Sequence, residues 1–313
     1  MEKIKVNLWE KEEYSYPMSF GFIPNIMIYC HSDTKARPFV IVVPGGGYCV
    51  VSPTESEIVA LDFYERGYDV AVLTYTTNLL MRVPLKMQAM NDLARAIFYL
   101  KENYSQEIIL CGFSAGGHLC GSLAVHHALF KDKEEKYSAK VSAVILAYPV
   151  ITAGEFAHQG SFQALVGADK DEIDFYSLEK QVSAETVPTF IWHTLTDELV
   201  PVENSLKFIE QLRKYKVPFA AHIFSKGAHG LSLANERWAA GEYGEKYTME
   251  QVYKILEAIE NDEIKLPEQI KELLKEQFSD KKPEINYRRV NHEVASWMDL
   301  ADEWLQNQIY QKT

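Results

Sequence analysis

The chain has 313 residues, 47% of them hydrophobic and 12% aromatic, enough apolar material to fill a large core without a metal or disulfide staple. Lys and Arg number 32 against 44 Asp and Glu, a formal charge of -12, which excludes the broad positive field that gathers nucleic acid or anionic lipid. No stretch approaches the roughly 20 apolar residues of a membrane helix.

The first segment, MEKIKVNLWEKEEY, turns polar at once and lacks the apolar run of a signal peptide, so a cytoplasmic protein is the expectation. Strands are predicted over 3–8 and 25–30, a candidate hairpin edge, and over 39–43, where an apolar run ends in Pro44-Gly45-Gly46-Gly47. An amphipathic helix over 54–66 stops at Gly67, and a buried strand follows over 69–75. Next come a helix over 85–101, a strand over 107–111, a helix from Ala115, and a strand over 141–147. Residues 149–188 are less regular and suit a loop excursion over the sheet. The alternation resumes with a strand at 189–193, a helix at 202–215 and a strand at 219–224. Such alternation indicates a mostly parallel sheet covered on both faces, an α/β architecture.

Beyond it, 236–289 shows helical periodicity around 252–259 and 270–274, with Pro267 and Pro283 as breakers. Residues 291–309 place Val294, Trp297, Met298, Ala301, Trp304, Leu305 and Ile309 at helical spacing, a terminal helix packed by one apolar face. The four cysteines, Cys30, Cys49, Cys111 and Cys120, form no CxxC pair and sit mostly beside apolar residues, so buried free thiols in a reducing compartment are expected.

The most informative segment runs from Ile108 to His118, where an apolar strand enters Gly112-Phe113-Ser114-Ala115-Gly116 and a helical pattern follows at once. A serine on a sharp strand-to-helix turn is exposed as a nucleophile, with the Ala115 N–H aimed at the oxygen that becomes negative during acyl transfer. Pro44-Gly45-Gly46-Gly47 also follows a strand, and Gly46 and Gly47 are the expected further donors; without GxGxxG or Gly-Lys-Ser/Thr, pyrophosphate binding gains no support. An unassisted hydroxyl is a poor nucleophile. His229, among small residues after the 219–224 strand, is the expected base, since imidazole titrates near a pKa of roughly 6.5. Asp197, after the 189–193 strand, is the expected orienting acid, with Glu198 as its competitor. His118 is expected to pack beneath the glycine loop. His31 and His158 are open between substrate contact and solvated loop. His126 and His127 have no convergent third ligand, so no metal or cofactor is expected.

Taken together, Pro44-Gly45-Gly46-Gly47-Tyr48, Gly112-Phe113-Ser114-Ala115-Gly116-Gly117-His118-Leu119, Thr196-Asp197 with Val200-Pro201, and Gly227-Ala228-His229-Gly230-Leu231 resemble the small bacterial serine esterases of the α/β-hydrolase fold, the acetyl esterase, xylan esterase and feruloyl-esterase-like proteins. The resemblance covers about residues 20–235 and resumes in the terminal helix. It implies a single α/β-hydrolase domain over 1–313, an eight-stranded sheet whose first strand is antiparallel, and acyl transfer to water through an acyl-serine. The 236–289 stretch then looks like an insertion, expected to form a helical cap or a subunit contact, and a homo-oligomer is left open. The glycine loop of that group usually begins with His where this chain has Pro44, which bears on how the loop is braced. A short-chain ester or acylated sugar is the expected substrate, with Tyr48, Tyr75 and Trp238 as substrate contacts and Tyr243 and Tyr247 as further planar faces. Amide or peptide cleavage by the same groups, and a non-catalytic binding protein, are the alternatives.

Overall fold

The computed structural model describes residues 1–169, 171–279 and 285–310, with the backbone alone at 309 and 310. Pro283 and the side chain of Ile309 therefore lie outside the described residues. Eight strands form one sheet: β1 (Glu2–Asn7), β2 (Asn25–Cys30), β3 (Phe39–Val43), β4 (Asp69–Thr74), β5 (Ile108–Phe113), β6 (Ala143–Ala147), β7 (Thr189–Thr194) and β8 (Phe219–Phe224), in the order β1-β2-β4-β3-β5-β6-β7-β8. From β4 to β8 every pairing is parallel, whereas β2 is antiparallel to both its neighbours. The reversed strand is thus the second rather than the first. β1 and β2 pair as an edge from Glu2–Cys30 to Asn7–Asn25, joined by a long excursion instead of a tight turn.

Among the described residues ten helices cover the sheet: α1 (Glu57–Glu65), α2 (Gln88–Asn103), α3 (Ala115–His126), α4 (Gln159–Val166), α5 (Glu203–Lys214), α6 (Glu236–Ala239), α7 (Glu250–Glu260), α8 (Glu268–Gln277), α9 (His292–Ala295) and α10 (Trp297–Tyr310). Alternate residues of each strand point to opposite faces, so β3 sends Phe39, Ile41 and Val43 into one core and Val40 and Val42 into the other. The first core is closed by α2, α3, α4, α5, α7 and α8, the second by α1, α6, α9 and α10. Apart from half-buried Asp69 at the start of β4, β2 through β7 are buried, which is why they read as apolar runs without alternation. No helix among the described residues is long and apolar enough to cross a membrane.

Two predicted helices are interrupted. Residues 54–66 split into a short 3-10 turn at Pro53–Glu55 and α1, because Ser56 leaves helical geometry and Glu55 turns inward. The terminal helix breaks at Ser296, whose hydroxyl donates to the Glu293 carbonyl at 2.7 Å, the local side-chain bond that bends helices. The 149–188 excursion holds α4 and two 3-10 turns. The cysteines are unpaired, three buried and Cys49 half-buried.

Trp297 anchors the terminal segment. It is fully buried, stacks on Trp192 of β7 with centroids 5.4 Å apart, and donates its indole N–H to the Ser232 carbonyl at 2.7 Å. Trp297→Ala should lower unfolding stability by about 3–5 kcal/mol, the usual cost of emptying a large aromatic site. Urea denaturation at neutral pH measures it, and a loss under about 1 kcal/mol would show that α10 is dispensable to the core.

Candidate active site

Ser114 stands between β5 and α3 at φ +52°, a left-handed conformation that a non-glycine residue adopts only when its surroundings impose it. Those surroundings are close-packed backbone. A Cβ at Gly116 would overlap the carbonyl oxygens of Val43 and Pro44, so glycine alone lets the first turn of α3 rest against the end of β3. The Ser114 N–H donates to the Ala147 carbonyl at 3.0 Å, and its own carbonyl accepts from His118 and Val150, which fixes the turn on both sides.

The Ser114 hydroxyl lies 2.8 Å from His229 Nε2, and His229 Nδ1 lies 2.7 Å from an Asp197 carboxylate oxygen. Since the carboxylate can only accept, Nδ1 carries the proton and Nε2 is the acceptor facing the serine. Asp197 is almost fully buried and also accepts backbone N–H bonds from Leu199 and Val200 at 3.0 and 2.9 Å. Burial alone would raise its pKa, but hydrogen bonds from His193 and His229 outweigh this and hold it well below the ordinary carboxylate value. The competitor Glu198 lies on the rim of a shallow depression beside Thr196 and Gly227 and makes none of these bonds. His193, fully buried, donates Nε2–H to the Val200 carbonyl and lies 3.3 Å from Asp197; it was not anticipated, being a histidine inside an apolar strand.

The N–H groups of Gly46, Gly47 and Ala115 meet no protein acceptor among the described residues, and Gly46 and Gly47 line the same cleft as Ser114. Gly46 needs φ +121° and has no room for a Cβ against Val50. Where related loops begin with His, this one is braced by other means. The Tyr75 hydroxyl donates to the Pro44 carbonyl at 2.7 Å, and buried Glu55 accepts from the Gly45 N–H at 2.7 Å and from the Tyr148 hydroxyl at 2.8 Å. Tyr148 in turn packs its ring edge-on to His229 at 4.9 Å, so one carboxylate supports both the glycine loop and the floor under the imidazole. Burial pushes the Glu55 pKa up, opposed by these hydrogen bonds and by the charge of nearby Arg289. No local signal marks this role, because Glu55 falls near the start of the stretch read as an amphipathic helix over 54–66.

The cleft has a volume of about 600 Å³ and includes Ser114, His229, Gly46 and Gly47. Its further walls are Met81, His158, Leu199, Met249, Phe278 and Arg289. The three expected substrate aromatics are not among its lining residues. Tyr48 is buried with its hydroxyl on His118 Nδ1 at 2.8 Å, Tyr75 is buried under Pro44, and Trp238 is buried with its indole N–H on the Thr54 carbonyl at 3.0 Å. The polar tip of each ring is spent on backbone or on a buried partner, which makes it part of the scaffold. Tyr243 packs on Trp238 and Tyr247 bonds the Tyr29 hydroxyl, so the segment 236–289 reaches the cleft by Met249, Phe278 and Arg289 instead. His158 caps α4 with Ser161 and lines the cleft, while His31 pairs with Asp69 away from it.

His118 donates Nε2–H to the Tyr176 carbonyl at 2.8 Å and is fully buried beneath the loop. Burial lowers its pKa to about 4, below the unfolded value near 6.5, so the unfolded chain binds the proton first. Its contribution is intact above pH 6.5 and is lost as pH falls toward 4. The stability of the parent protein should therefore fall more steeply across that window than that of His118→Gln, as read from denaturation midpoints at a series of pH values. Parallel curves would mean that His118 does not titrate between the two states.

Residues 26–212 match the BD-FAE family. The chain is 43% identical over 265 residues, 81% of its own length, to endo-1,4-beta-xylanase B of Butyrivibrio fibrisolvens, covering 42% of that protein. It is 28% identical over 208 residues to an acetylxylan esterase of Xylanibacter ruminicola, covering 62% of this chain and 41% of that one. It thus spans about two-fifths of the length of the curated relatives it matches. Among solved structures, an acetyl ester-xyloside bifunctional hydrolase from Caldicellulosiruptor lactoaceticus superposes with a TM-score of 0.67 at 33% identity, over 84% of this chain and 97% of the other. With its eight-stranded sheet and the match extending over more than half its length, the chain belongs to the BD-FAE family of α/β-hydrolase-fold proteins.

Proposed function

We propose that this chain hydrolyses short-chain carboxylic esters, acetylated carbohydrates among them, through an acyl-serine intermediate. The observation that carries the reading is the unbroken chain from Asp197 through His229 to the Ser114 hydroxyl, at 2.7 and 2.8 Å, opening onto free amides in one cleft. Acetylxylan esterase and acetyl ester hydrolase relatives support the substrate class.

In this mechanism Ser114 Oγ attacks the acyl carbon as its proton passes to His229 Nε2. Asp197 stabilises the imidazolium and holds its tautomer. The carbonyl oxygen becomes negative against Ala115 N–H and the amides of Gly46 and Gly47, donors that need no reorganisation because their loops are already fixed. Collapse expels the alcohol, which takes the proton from His229. A water then attacks the acyl-serine by the same route, releasing the acid and restoring Ser114. No metal or other cofactor takes part in these steps. In this reading 1–313 is one α/β-hydrolase domain whose 236–289 stretch walls the cleft through Met249, Phe278 and Arg289, and free thiols fit action in a reducing compartment such as the cytoplasm.

Ser114→Ala should lower kcat on 4-nitrophenyl acetate by roughly five orders of magnitude while the unfolding midpoint stays put, and should abolish labelling by a fluorophosphonate. Asp197→Asn should cost about 10⁴-fold, since the imidazole would lose its tautomer. A folded Ser114→Ala enzyme that still turns over at the parental rate would remove the mechanism. Parallel assay of 4-nitroacetanilide separates esters from amides.

The cleft walls also set an expectation for size. Acetate and propionate esters should have the highest kcat/KM in a series of aryl esters, and a continuous rise from two to ten acyl carbons would count against a short acyl site.

A further inference from the structure

Among the described residues lining the cleft, Arg289 is the one guanidinium. The turn that carries it is clamped at several backbone points: Asn286 N–H donates to the Ala239 carbonyl at 2.9 Å, Asn291 N–H to Ala234 at 2.8 Å, and Asn291 Nδ2 to Lys226 at 2.8 Å. The half-buried guanidinium stacks on the Trp238 ring, 4.2 Å from its centroid, and spends one N–H on the Gly230 carbonyl at 3.2 Å, next to His229. Its remaining donors have no protein acceptor, and no carboxylate lies within ion-pairing distance, among the described residues. Glu55, the only carboxylate among the described residues lining the cleft, is engaged on both oxygens by Gly45 and Tyr148.

An arginine left unpaired in a protein of net charge -12, yet fixed by stacking and by its turn, is a preorganised fork for a planar anion. Resting on the ester-hydrolase reading above, we propose that Arg289 selects esters that carry a carboxylate on the acyl or the alcohol part, pairing with it while the ester carbonyl lies at Ser114. The stacking face of the guanidinium is covered by Trp238, so recognition runs through its N–H edge, which suits a carboxylate better than an aromatic ring.

Matched substrate pairs test this. On the acyl side, 4-nitrophenyl hemiglutarate is compared with 4-nitrophenyl valerate; on the alcohol side, an acetylated methyl glucuronide with the acetylated methyl glucoside. In at least one pair the charged member should have the higher kcat/KM by roughly tenfold to a hundredfold, expressed in KM and shrinking with added salt. Which pair shows it assigns the carboxylate to acyl or alcohol. Arg289→Gln should bring that ratio close to one, and Arg289→Lys should keep part of it. Equal or inverted ratios in both pairs for the parent enzyme, with the neutral esters turned over, would overturn the assignment of Arg289 and leave the hydrolase reading standing. A preference undiminished in folded Arg289→Gln would do the same. Absence of turnover on every ester would instead remove the hydrolase reading and this inference with it. If Arg289→Gln does not fold, the parent's ratios, their salt dependence and the Arg289→Lys ratio still decide.

Discussion

The structure depends on one backbone contact, the first turn of α3 resting on the carbonyls of Val43 and Pro44 at the end of β3. Only a glycine at 116 permits that approach, and it brings two neighbouring parallel strands, β3 and β5, to deliver their following loops to one point. The strained Ser114 and the glycine loop are consequences of this contact. Once α3 is held down, the serine turns outward, and the loop after β3 lines the same cleft as Ser114.

Holding such a loop without a regular ladder requires buried polar groups, and each of those is costly unless fully partnered. Here the partnering is nearly complete. Glu55 takes one backbone and one phenolic donor, Tyr75 supplies the Pro44 carbonyl, and Tyr48, His118 and Tyr176 form a second chain beneath the loop. The acid side follows the same rule, with Asp197 accepting from two backbone amides and His229 and facing His193. A network satisfied in this way resists rearrangement, which is what gives the free amides a fixed direction.

The late segment completes the site from outside the sheet. Trp238 and Ser232 both donate to the Thr54 carbonyl, beside Glu55, and Trp297 holds the Ser232 carbonyl, so the loop bearing His229 is tied to the loop bearing Glu55 and to the terminal helix. Gln251 at the start of α7 accepts from Thr77 N–H and returns a bond to the Thr77 carbonyl, which seats α7 beyond the end of β4. From that seat Met249 reaches the cleft, as Phe278 and Arg289 do from the end of α8 and the turn before α9.

The sequence by itself determined the strand-helix alternation, since buried parallel strands must be unbroken apolar runs, and it placed Ser114, His229 and Asp197 at the loops that follow β5, β8 and β7. Those assignments were legible because each rests on a local signal, a run of side chains ending in small residues. The walls of the cleft were not legible, and the aromatics Tyr48, Tyr75 and Trp238, expected as substrate contacts, are buried supports. Proximity in the chain fixes which loop a ring belongs to; whether it faces solvent or a backbone carbonyl depends on partners such as Pro44 and Thr54, the latter 184 residues from Trp238. Only the tertiary structure decided that Glu55, outwardly an ordinary helix charge, is the interior brace, and that Arg289 is left without a carboxylate, because burial and pairing of charge are properties of the packed molecule.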